Sequence, residues 1–150
     1  MDGIDKDILN IIRENGKTTN SDIAKKLEMA PSAILERIRK LEKKNIITGY
    51  TAKIDPKKIG QALLVFITVK VDSANWSQEC GDALANNPHI EEVHEVLGEN
   101  SYLIKARVAN MDALSELLKN HIAKIPEVKS TNTTAVTRSI KTETIHPIEL

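Results

Sequence analysis

The spacing of apolar residues changes part-way along the chain. Up to about residue 48, apolar residues recur every three or four positions, as in amphipathic helices. From about residue 62, runs rich in β-branched residues alternate with helix-like segments. A helix and a strand bury different sets of positions, so one uniform bundle or sheet cannot satisfy both patterns. The sequence therefore predicts an α+β protein with a helical front part and a mixed back part.

The front part, residues 1–48, is predicted to contain three short helices, and Asp2 or Asp5 can cap the first. The second begins near Thr19, where Asp22 three residues later forms a capping-box variant. The third opens at Pro31, because the missing N–H of proline is tolerated at the first helical position. The spacing i, i+4 and i+7 predicts one buried stripe on this third helix, and its members are Ile34, Ile38 and Leu41.

The third helix is basic on its other faces, which is typical of the recognition helix of a helix-turn-helix DNA-binding domain. Residues 1–60 carry 13 Lys and Arg against 9 Asp and Glu, whereas residues 61–150 carry 8 against 12. This asymmetry favours nucleic acid over the alternative of a merely solvated basic face. We expect residues near the helix start, with Arg37 as the long donor, to face bases, and later ones to contact phosphates. The predicted DNA-binding residues are Ser32, Ala33, Glu36, Arg37, Arg39, Lys40, Lys43 and Lys44.

Residues 49–61 are predicted to link the two parts. The alternation over residues 49–56 and the Asp-Pro stop at its end indicate a short strand, followed by a hinge over residues 57–61. The back part, residues 62–150, then reads as strand, helix, strand, strand, helix, strand, which is the βαββαβ order of a ferredoxin-like domain. The predicted segments are strands 62–71, 90–97, 101–108 and 128–144, and helices 76–87 and 111–125.

Five segments, in this order and at this spacing, carry a resemblance to a known family. They are residues 4–9 (IDKDIL), 23–27 (IAKKL), 31–42 (PSAILERIRKLE), 46–52 (IITGYTA) and 55–60 (DPKKIG). On these segments the chain resembles, over essentially its whole length, the Lrp/AsnC family of bacterial and archaeal transcription regulators.

The resemblance implies a winged or extended helix-turn-helix, a linker strand and a ferredoxin-like domain for ligand sensing and oligomerisation. Family members pair through their sheets into homodimers that assemble further, so a higher oligomer, with an octamer as the leading expectation, is implied here. Their effectors are amino acids, bound in clefts between dimers near the loop that joins the second and third strands. The implied function is sequence-specific regulation of transcription on double-stranded DNA in response to an amino acid.

The family motif in that loop is Gly-x-x-Asp-Tyr, and this chain places Ser101 where the acidic residue stands. A hydroxyl offers an amino-acid ammonium only a neutral hydrogen bond. The residues themselves leave two alternatives open, a plain hairpin turn at Gly98 and threonines that only reflect β propensity. A second departure is Ala30, where the family often has a capping Ser or Thr. The ligand-binding residues that the resemblance implies are Gly98, Glu99, Asn100, Ser101, Tyr102, Thr131, Thr133 and Thr134.

An enzyme is the alternative function, because some proteins that resemble this family are sirohaem decarboxylases. Such an activity would bind a tetrapyrrole and use His94 or His121, whereas the basic third helix favours a regulator. The sequence lacks a Gly-rich phosphate loop and a Gly-x-Ser-x-Gly elbow, and Cys80 is its single cysteine. We predict no catalytic residues, no metal and no cofactor. The acidic first residues and the lack of a long apolar run lead us to expect a cytoplasmic protein without a membrane segment.

Overall fold

The computed structural model describes residues 1–72, 78–98 and 101–142. These residues form two compact units, each with its own hydrophobic core. One unit comprises Met1–Ile54 with residues 141 and 142, and the other comprises Asp55–Ile140. The division between Ile54 and Asp55 falls inside the linker predicted over residues 49–61. None of the helices in the described ranges combines the length and the apolar character that crossing a membrane requires.

The first unit contains the three predicted helices, α1 (Gly3–Glu14), α2 (Asn20–Lys26) and α3 (Pro31–Lys43). Asp2 caps α1 and Thr19 caps α2, each accepting a backbone N–H three residues later. The stripe predicted on α3 is buried as expected. The core that the three helices share is built from Ile8, Ile23, Ala24, Ile34, Ile38 and Leu41.

Two residues with left-handed backbone end α2 and α3. Glu28 and Asn45 both have φ of 53°. In each case the N–H of the next residue returns to a helix carbonyl, from Met29 to Ala24 and from Ile46 to Leu41, at 2.9 Å. These are Schellman closures, which satisfy the last carbonyls of a helix and fix the direction of the exit. The turn between α2 and α3 is therefore set by backbone geometry.

The predicted linker strand over residues 49–56 is wrong for this chain. Residues 49–55 form neither helix nor strand, and Pro56–Ile59 is a 3₁₀ turn that Gly60 closes at φ of 78°. The Asp55 carboxylate accepts the Lys57 N–H at 3.0 Å and so begins that turn. An extended segment becomes a strand only when a neighbouring strand accepts and donates its backbone hydrogen bonds, and alternation of residue types does not supply that neighbour.

The second unit is an antiparallel sheet with helices on one side. Its strands lie in the order β2-β3-β1-β4, with each neighbouring pair antiparallel. This arrangement confirms the predicted βαββαβ ferredoxin-like class. The elements are β1 (Leu63–Val71), α4 (Gln78–Ala85), β2 (Ile90–Val96), β3 (Ser101–Val108), α5 (Met111–Glu116) and β4 (Val128–Ala135).

Two predicted segments of this unit differ from the structure. The helix predicted over residues 111–125 continues beyond α5 as a π turn, Leu117–His121, and a 3₁₀ turn, Ile122–Lys124. The strand predicted over residues 128–144 ends at Ala135, where β1 is also close to its end: the Val136 N–H donates to the Leu64 carbonyl, one residue from the start of β1. Residues 76 and 77 of the predicted helix, and residues 143 and 144, lie outside the described residues.

Side chains of the sheet alternate between a covered face and an open face. On the covered face, residues such as Val65, Ile67 and Ile104 pack against Leu84 of α4 and Leu114 of α5. The opposite side, called the open face below, carries more polar residues. Its members are Glu92, His94 and Val96 of β2, Ser101, Leu103, Lys105 and Arg107 of β3, Leu64, Phe66, Thr68 and Lys70 of β1, and Ser130, Asn132 and Thr134 of β4.

Candidate nucleic-acid interface and effector site

The outer surface of α3 is polar and basic. Ile34, Ile38 and Leu41 are buried, so helical geometry places the centre of the exposed side opposite this stripe. The residues at that centre, Ser32, Glu36, Arg39 and Lys43, are all exposed, and we call them the outer face of α3. Lys40 and Lys44 flank them and are also exposed. Six of the eight predicted DNA-binding residues thus share the exposed side of α3 or its flank, and Ala33 is half-buried.

Arg37, the eighth, lies on the flank that faces α1. Its Nη1 donates to Asp2 Oδ2 at 2.8 Å and to Asp5 Oδ1 at 2.7 Å. Its side chain is 27% exposed, and that of Asp5 is 18% exposed. The sequence predicted Arg37 as the long donor to bases, whereas the structure engages its guanidinium within the helical unit.

Asp2 and Asp5 also form the capping box of α1. The Asp5 N–H donates to Asp2 Oδ1 at 2.9 Å, and the Asp2 N–H donates to Asp5 Oδ2 at 3.1 Å. The backbone N–H of Asp5 and the guanidinium of Arg37 hold the pKa of Asp2 below its ordinary value. Conversely, the hydrogen bonds to Asp2 and Asp5 raise the pKa of Arg37. Asp2 and Arg37 are therefore charged at neutral pH.

The rest of α3 carries exposed charges that water screens. Lys40 Nζ lies 3.0 Å from Glu36 Oε1, one turn back, and this contact lowers the pKa of Glu36. Pairs as exposed as this one contribute little to stability, because water and salt screen them. Lys43 and Lys44 close the helix, where cations interact favourably with the helix dipole. Lys43 and Lys44 thus give α3 an exposed cationic end that an anionic partner can contact.

A cavity of about 460 Å³ lies between the start of α1 and α3. Ala33, Arg37, Lys40 and Lys44 form its α3 wall, and Asp2 and Asp5 form its α1 wall. Its remaining lining residues are Met1, Met29, Glu36, Leu41 and Ile46.

Sequence reasoning missed three residues of this region. Asp2 and Asp5 were considered only as caps, and Tyr50 only as part of a strand. The Tyr50 hydroxyl donates to Glu42 Oε1 at 2.9 Å, which joins the segment after α3 to that helix. One signal for Arg37 was available, since position 37 lies beside the buried stripe on a helical projection and not opposite it.

The ligand-binding residues implied by resemblance lie on two different faces of the sheet. Ser101 and Thr134 belong to the open face, because they pair with Lys70 and Phe66 of β1. Tyr102 and Thr131 both pair with Val69, on the covered face, and Thr133 is on that face as well. In addition, β1 lies between β3 and β4, so the candidate residues on β3 are about 10 Å from those on β4 across the sheet. One subunit does not bring these residues together in one cleft.

The loop before β3 contains Gly98, whose φ of 126° is a conformation that only glycine adopts readily. Ser101 begins β3 and is 6% exposed. Glu99 and Asn100 lie outside the described residues. The described part of the motif therefore consists of a turn at Gly98 and a buried serine that begins β3.

Tyr102 serves the core of the second unit. It is 2% exposed, and a Cβ on Gly81 of α4 would lie 3.3 Å from its Cε1 atom. Burial raises the pKa of Tyr102, and nearby acidic groups add to the effect. The ring therefore supports α4 through a close approach that Gly81 permits, and it does not line an accessible surface.

The histidines considered for the enzyme alternative lie on opposite sides of the sheet. His94 is on the open face, with Nε2 3.2 Å from Glu92 Oε2. His121 is on the π turn after α5, on the helical side. Lys105 also binds Glu92, at 2.7 Å, and with His94 it lowers the pKa of that carboxyl. Among the described residues, no three His, Cys, Asp or Glu side chains are grouped to hold a metal ion.

Both parts of the chain match known protein families. Residues 1–48 match a winged helix-turn-helix DNA-binding family, and residues 64–145 match the Lrp/AsnC ligand binding domain. Among curated relatives, the HTH-type transcriptional regulator FL11 of Pyrococcus horikoshii is 39% identical over 149 residues, covering 99% of this chain and 97% of the relative. The leucine-responsive regulatory protein of Escherichia coli is 33% identical over 143 residues, covering 94% and 87%.

Solved structures agree with this similarity. The structure of E. coli AsnC has a TM-score of 0.90 and 30% identity, covering 98% of this chain and 99% of that one. A transcriptional regulator from Neisseria meningitidis, solved in complex with L-Met, has a TM-score of 0.89 and 25% identity, covering 98% and 96%. These relatives are regulators, which favours regulation over the enzyme alternative. The chain therefore belongs to the Lrp/AsnC family and is a DNA-binding transcription regulator with a ligand-binding domain.

Proposed function

We propose that the chain binds specific DNA sequences through α3 and that an amino acid modulates this binding. The observation that carries the first part is the outer face of α3, which is exposed, polar and basic within a winged helix-turn-helix unit. A helix of this kind fits the major groove, where each base pair presents a distinct pattern of donors and acceptors.

We assign base contacts to the first turns of α3. Residues near the start of a recognition helix are the ones that contact base edges. The Ser32 hydroxyl can donate or accept, the Glu36 carboxylate can accept from the amino group of cytosine, and the Ala33 methyl suits the methyl group of thymine. All three are in the first two turns of the helix.

Phosphate contacts fall to the cations further along the helix, Arg39, Lys40, Lys43 and Lys44. Cations that neutralise phosphates displace condensed counterions, so they set affinity and salt dependence without selecting a sequence. Lys43 and Lys44 at the end of α3 are proposed to contact the DNA backbone when the helix start is in the groove.

The effector part of the proposal rests on the second unit. It matches a ligand binding domain, and the related Neisseria meningitidis regulator was solved with L-Met. We place the site at the loop of residues 98–100 and at Ser101. Since Ser101 and Thr134 are separated by β1 within one subunit, a second subunit supplies the remaining contacts of the cleft. Tyr102, Thr131 and Thr133 then support this site from the covered face.

We propose that homodimers form through the open face and assemble further, with an octamer as the leading possibility. Phe66 is 37% exposed near the middle of the sheet. Lys105 and Arg107 are already paired with Glu92 and Glu91 of the same chain, at 2.7 and 2.8 Å, so covering them leaves no charge unpaired. A two-fold dimer presents two copies of α3 about 34 Å apart, which predicts a roughly palindromic operator.

The test is fluorescence anisotropy with a duplex from the region upstream of the gene that encodes the chain. A random duplex of equal length and base composition is the control, and both are titrated at several salt concentrations. The same titrations are repeated with a pool of the twenty amino acids. We expect salt-sensitive binding that prefers the upstream duplex and changes with the pool, which can then be divided to find the effector.

Absence of binding at low salt, with and without the pool, would contradict the DNA part of the proposal. Preferential binding that no amino acid alters would contradict the effector part alone. An effector can change DNA binding only if it binds one conformational or assembly state better than another, so sedimentation of the protein with and without the active amino acid completes the test.

A further inference from the structure

Arg37 and the capping box of α1 form one closed hydrogen-bonded group. Asp2 uses Oδ1 for the Asp5 N–H and Oδ2 for Arg37, and Asp5 uses Oδ2 for the Asp2 N–H and Oδ1 for Arg37. Each of the four carboxylate oxygens thus has one partner. The distances, 2.7–3.1 Å, are those of well-formed hydrogen bonds.

This group joins α1 to α3 across 35 and 32 residues of sequence. Asp2 and Asp5 are fixed by the start of α1, since capping requires their backbone to take one conformation. One guanidinium nitrogen that binds both carboxylates has little freedom to move. The group therefore adds a polar restraint, beside the packing of the buried stripe of α3 in the shared core, on the rotation of α3 relative to α1 and so on the direction of the outer face.

The charge of the group argues against a phosphate contact by Arg37. One guanidinium with two carboxylates leaves a formal net charge of −1 on this hydrogen-bonded group itself. Extending Arg37 to DNA would leave both carboxylates without the guanidinium that binds them. We therefore expect Arg37 to contribute to DNA recognition while it remains bound to Asp2 and Asp5.

We infer that Arg37 is a positioning residue for DNA recognition, held by Asp2 and Asp5, and not a residue that contacts DNA. This inference rests on the proposed function, because it presumes that the outer face of α3 reads the operator. It also assigns Asp2 and Asp5 a second role, which is to keep a mobile cation away from phosphates that carry no sequence information.

Four variants test the inference in the full chain. Arg37→Gln removes the cation, and Asp2→Asn with Asp5→Asn removes both anions while keeping good capping side chains. The triple variant combines them, and Arg39→Gln is the matched control for an arginine that contacts phosphate. Each is titrated by anisotropy against the upstream duplex and the random duplex over a range of salt, and circular dichroism checks that helix content is retained.

We expect Arg37→Gln to lower the preference for the upstream duplex by about tenfold without changing the salt dependence. The double asparagine variant is expected to lower the preference to a similar extent. It also binds random duplex more tightly and steepens the slope of log affinity against log salt by about 0.9, because the freed guanidinium of Arg37 reaches a phosphate. The triple variant returns the slope to the wild-type value and loses no further preference. Arg39→Gln reduces the slope by about 0.9.

The inference is overturned if Arg37→Gln reduces the slope as Arg39→Gln does, or if the double asparagine variant keeps its full preference, since either result makes Arg37 a direct contact. Additive losses in the triple variant overturn it as well. A wild-type protein without any preference for the upstream duplex overturns both this inference and the proposed function. If the wild-type protein prefers the upstream duplex but the variants give any of the contrary results above, only this inference is overturned.

Discussion

Ala30 precedes α3 and offers the first N–H groups of that helix no side-chain acceptor. Serine at this position supplies the missing hydroxyl, so we expect Ala30→Ser to raise the free energy of unfolding of the helical unit by about 1 kcal/mol. Chemical denaturation followed by circular dichroism measures the change. Thr19→Ala, which removes the existing cap of α2, is the matched control and is expected to lower stability by a similar amount. An unchanged Ala30→Ser variant would show that the start of α3 is already satisfied by water.

Glu28 adopts a left-handed backbone, which for a residue with a Cβ costs about 1–2 kcal/mol. Glycine removes this strain but loses more chain entropy on folding, so Glu28→Gly is expected to stabilise the protein by a net of about 0.5–1 kcal/mol. Thermal unfolding at neutral pH gives the comparison. Asn45→Gly, at the same φ, serves as control with a smaller expected gain, because asparagine tolerates this conformation. Equal gains at both positions would contradict the explanation.

Single residues were predictable where their role is local. Thr19 as a cap and Pro31 as a helix start each depend on neighbours within four residues, and both are confirmed. The role of Arg37 depends on Asp5, 32 residues away. Propensity and capping rules contain no information on such a pair, because it forms only when α1 packs on α3.

Helix α4 approaches the sheet closely at Gly81. An added Cβ would lie 3.3 Å from the Tyr102 ring, which is buried and has little room to shift. We expect Gly81→Ala to destabilise the protein by about 1 kcal/mol, because crowding outweighs the better helix propensity of alanine. Gly3→Ala is the control, since no atom lies within 4 Å of its added Cβ and a small gain is expected. A gain at both positions, measured by thermal unfolding, would mean that the ring adjusts freely.

The end of α3 is expected to contact phosphates through Lys43 and Lys44. Replacing both by alanine should flatten the plot of log affinity against log salt by about 1.8, as expected for two lost phosphate contacts. The preference for the upstream duplex should change little. Lys119→Ala with Lys124→Ala removes the same charge from the second unit and is expected to leave the slope unchanged. A slope that the Lys43 and Lys44 substitutions do not alter would place both residues outside the interface.

Elements were predictable in type and order but less so in length. The β propensity of residues 128–144 extends past the real end of β4, because a strand stops where its partner stops, and β1 begins at Leu63. The same reason removes the predicted strand over residues 49–56, which has alternation but no neighbour in this chain. Sequence patterns report what a segment prefers, whereas pairing depends on which residues another strand makes available.

We propose that the effector response is a property of the assembled molecule. We expect Ser101→Ala to weaken the response of DNA binding to the active amino acid by about tenfold in effector concentration, the effect of about 1.4 kcal/mol. Ser101→Asp, which restores the acidic residue of the family motif, should increase affinity for the amino acid through its ammonium group. Isothermal titration with the amino acid and anisotropy with DNA separate the two functions, and Ser115→Ala on α5 is the control. An unchanged response in both Ser101 variants would place the effector elsewhere.

The composition of the candidate ligand site could not be read from the sequence for a simple geometric reason. Thr133 and Thr134 are neighbours in the chain, yet consecutive strand residues point to opposite faces of a sheet. Ser101 and Tyr102 are divided in the same way. The fold class and the basic helix follow from patterns within segments, but a cleft depends on strand order and on which subunits meet.

The two units have cores with no residue in common among those described. A substitution that alters the packing of α3 on α1 therefore does not have to be matched by changes in the sheet, and the reverse also holds. In evolutionary terms, the choice of operator and the choice of effector can diverge independently, each under its own selection. A lineage of such regulators can move to new genes while it keeps its metabolite, or change its metabolite while it keeps its genes.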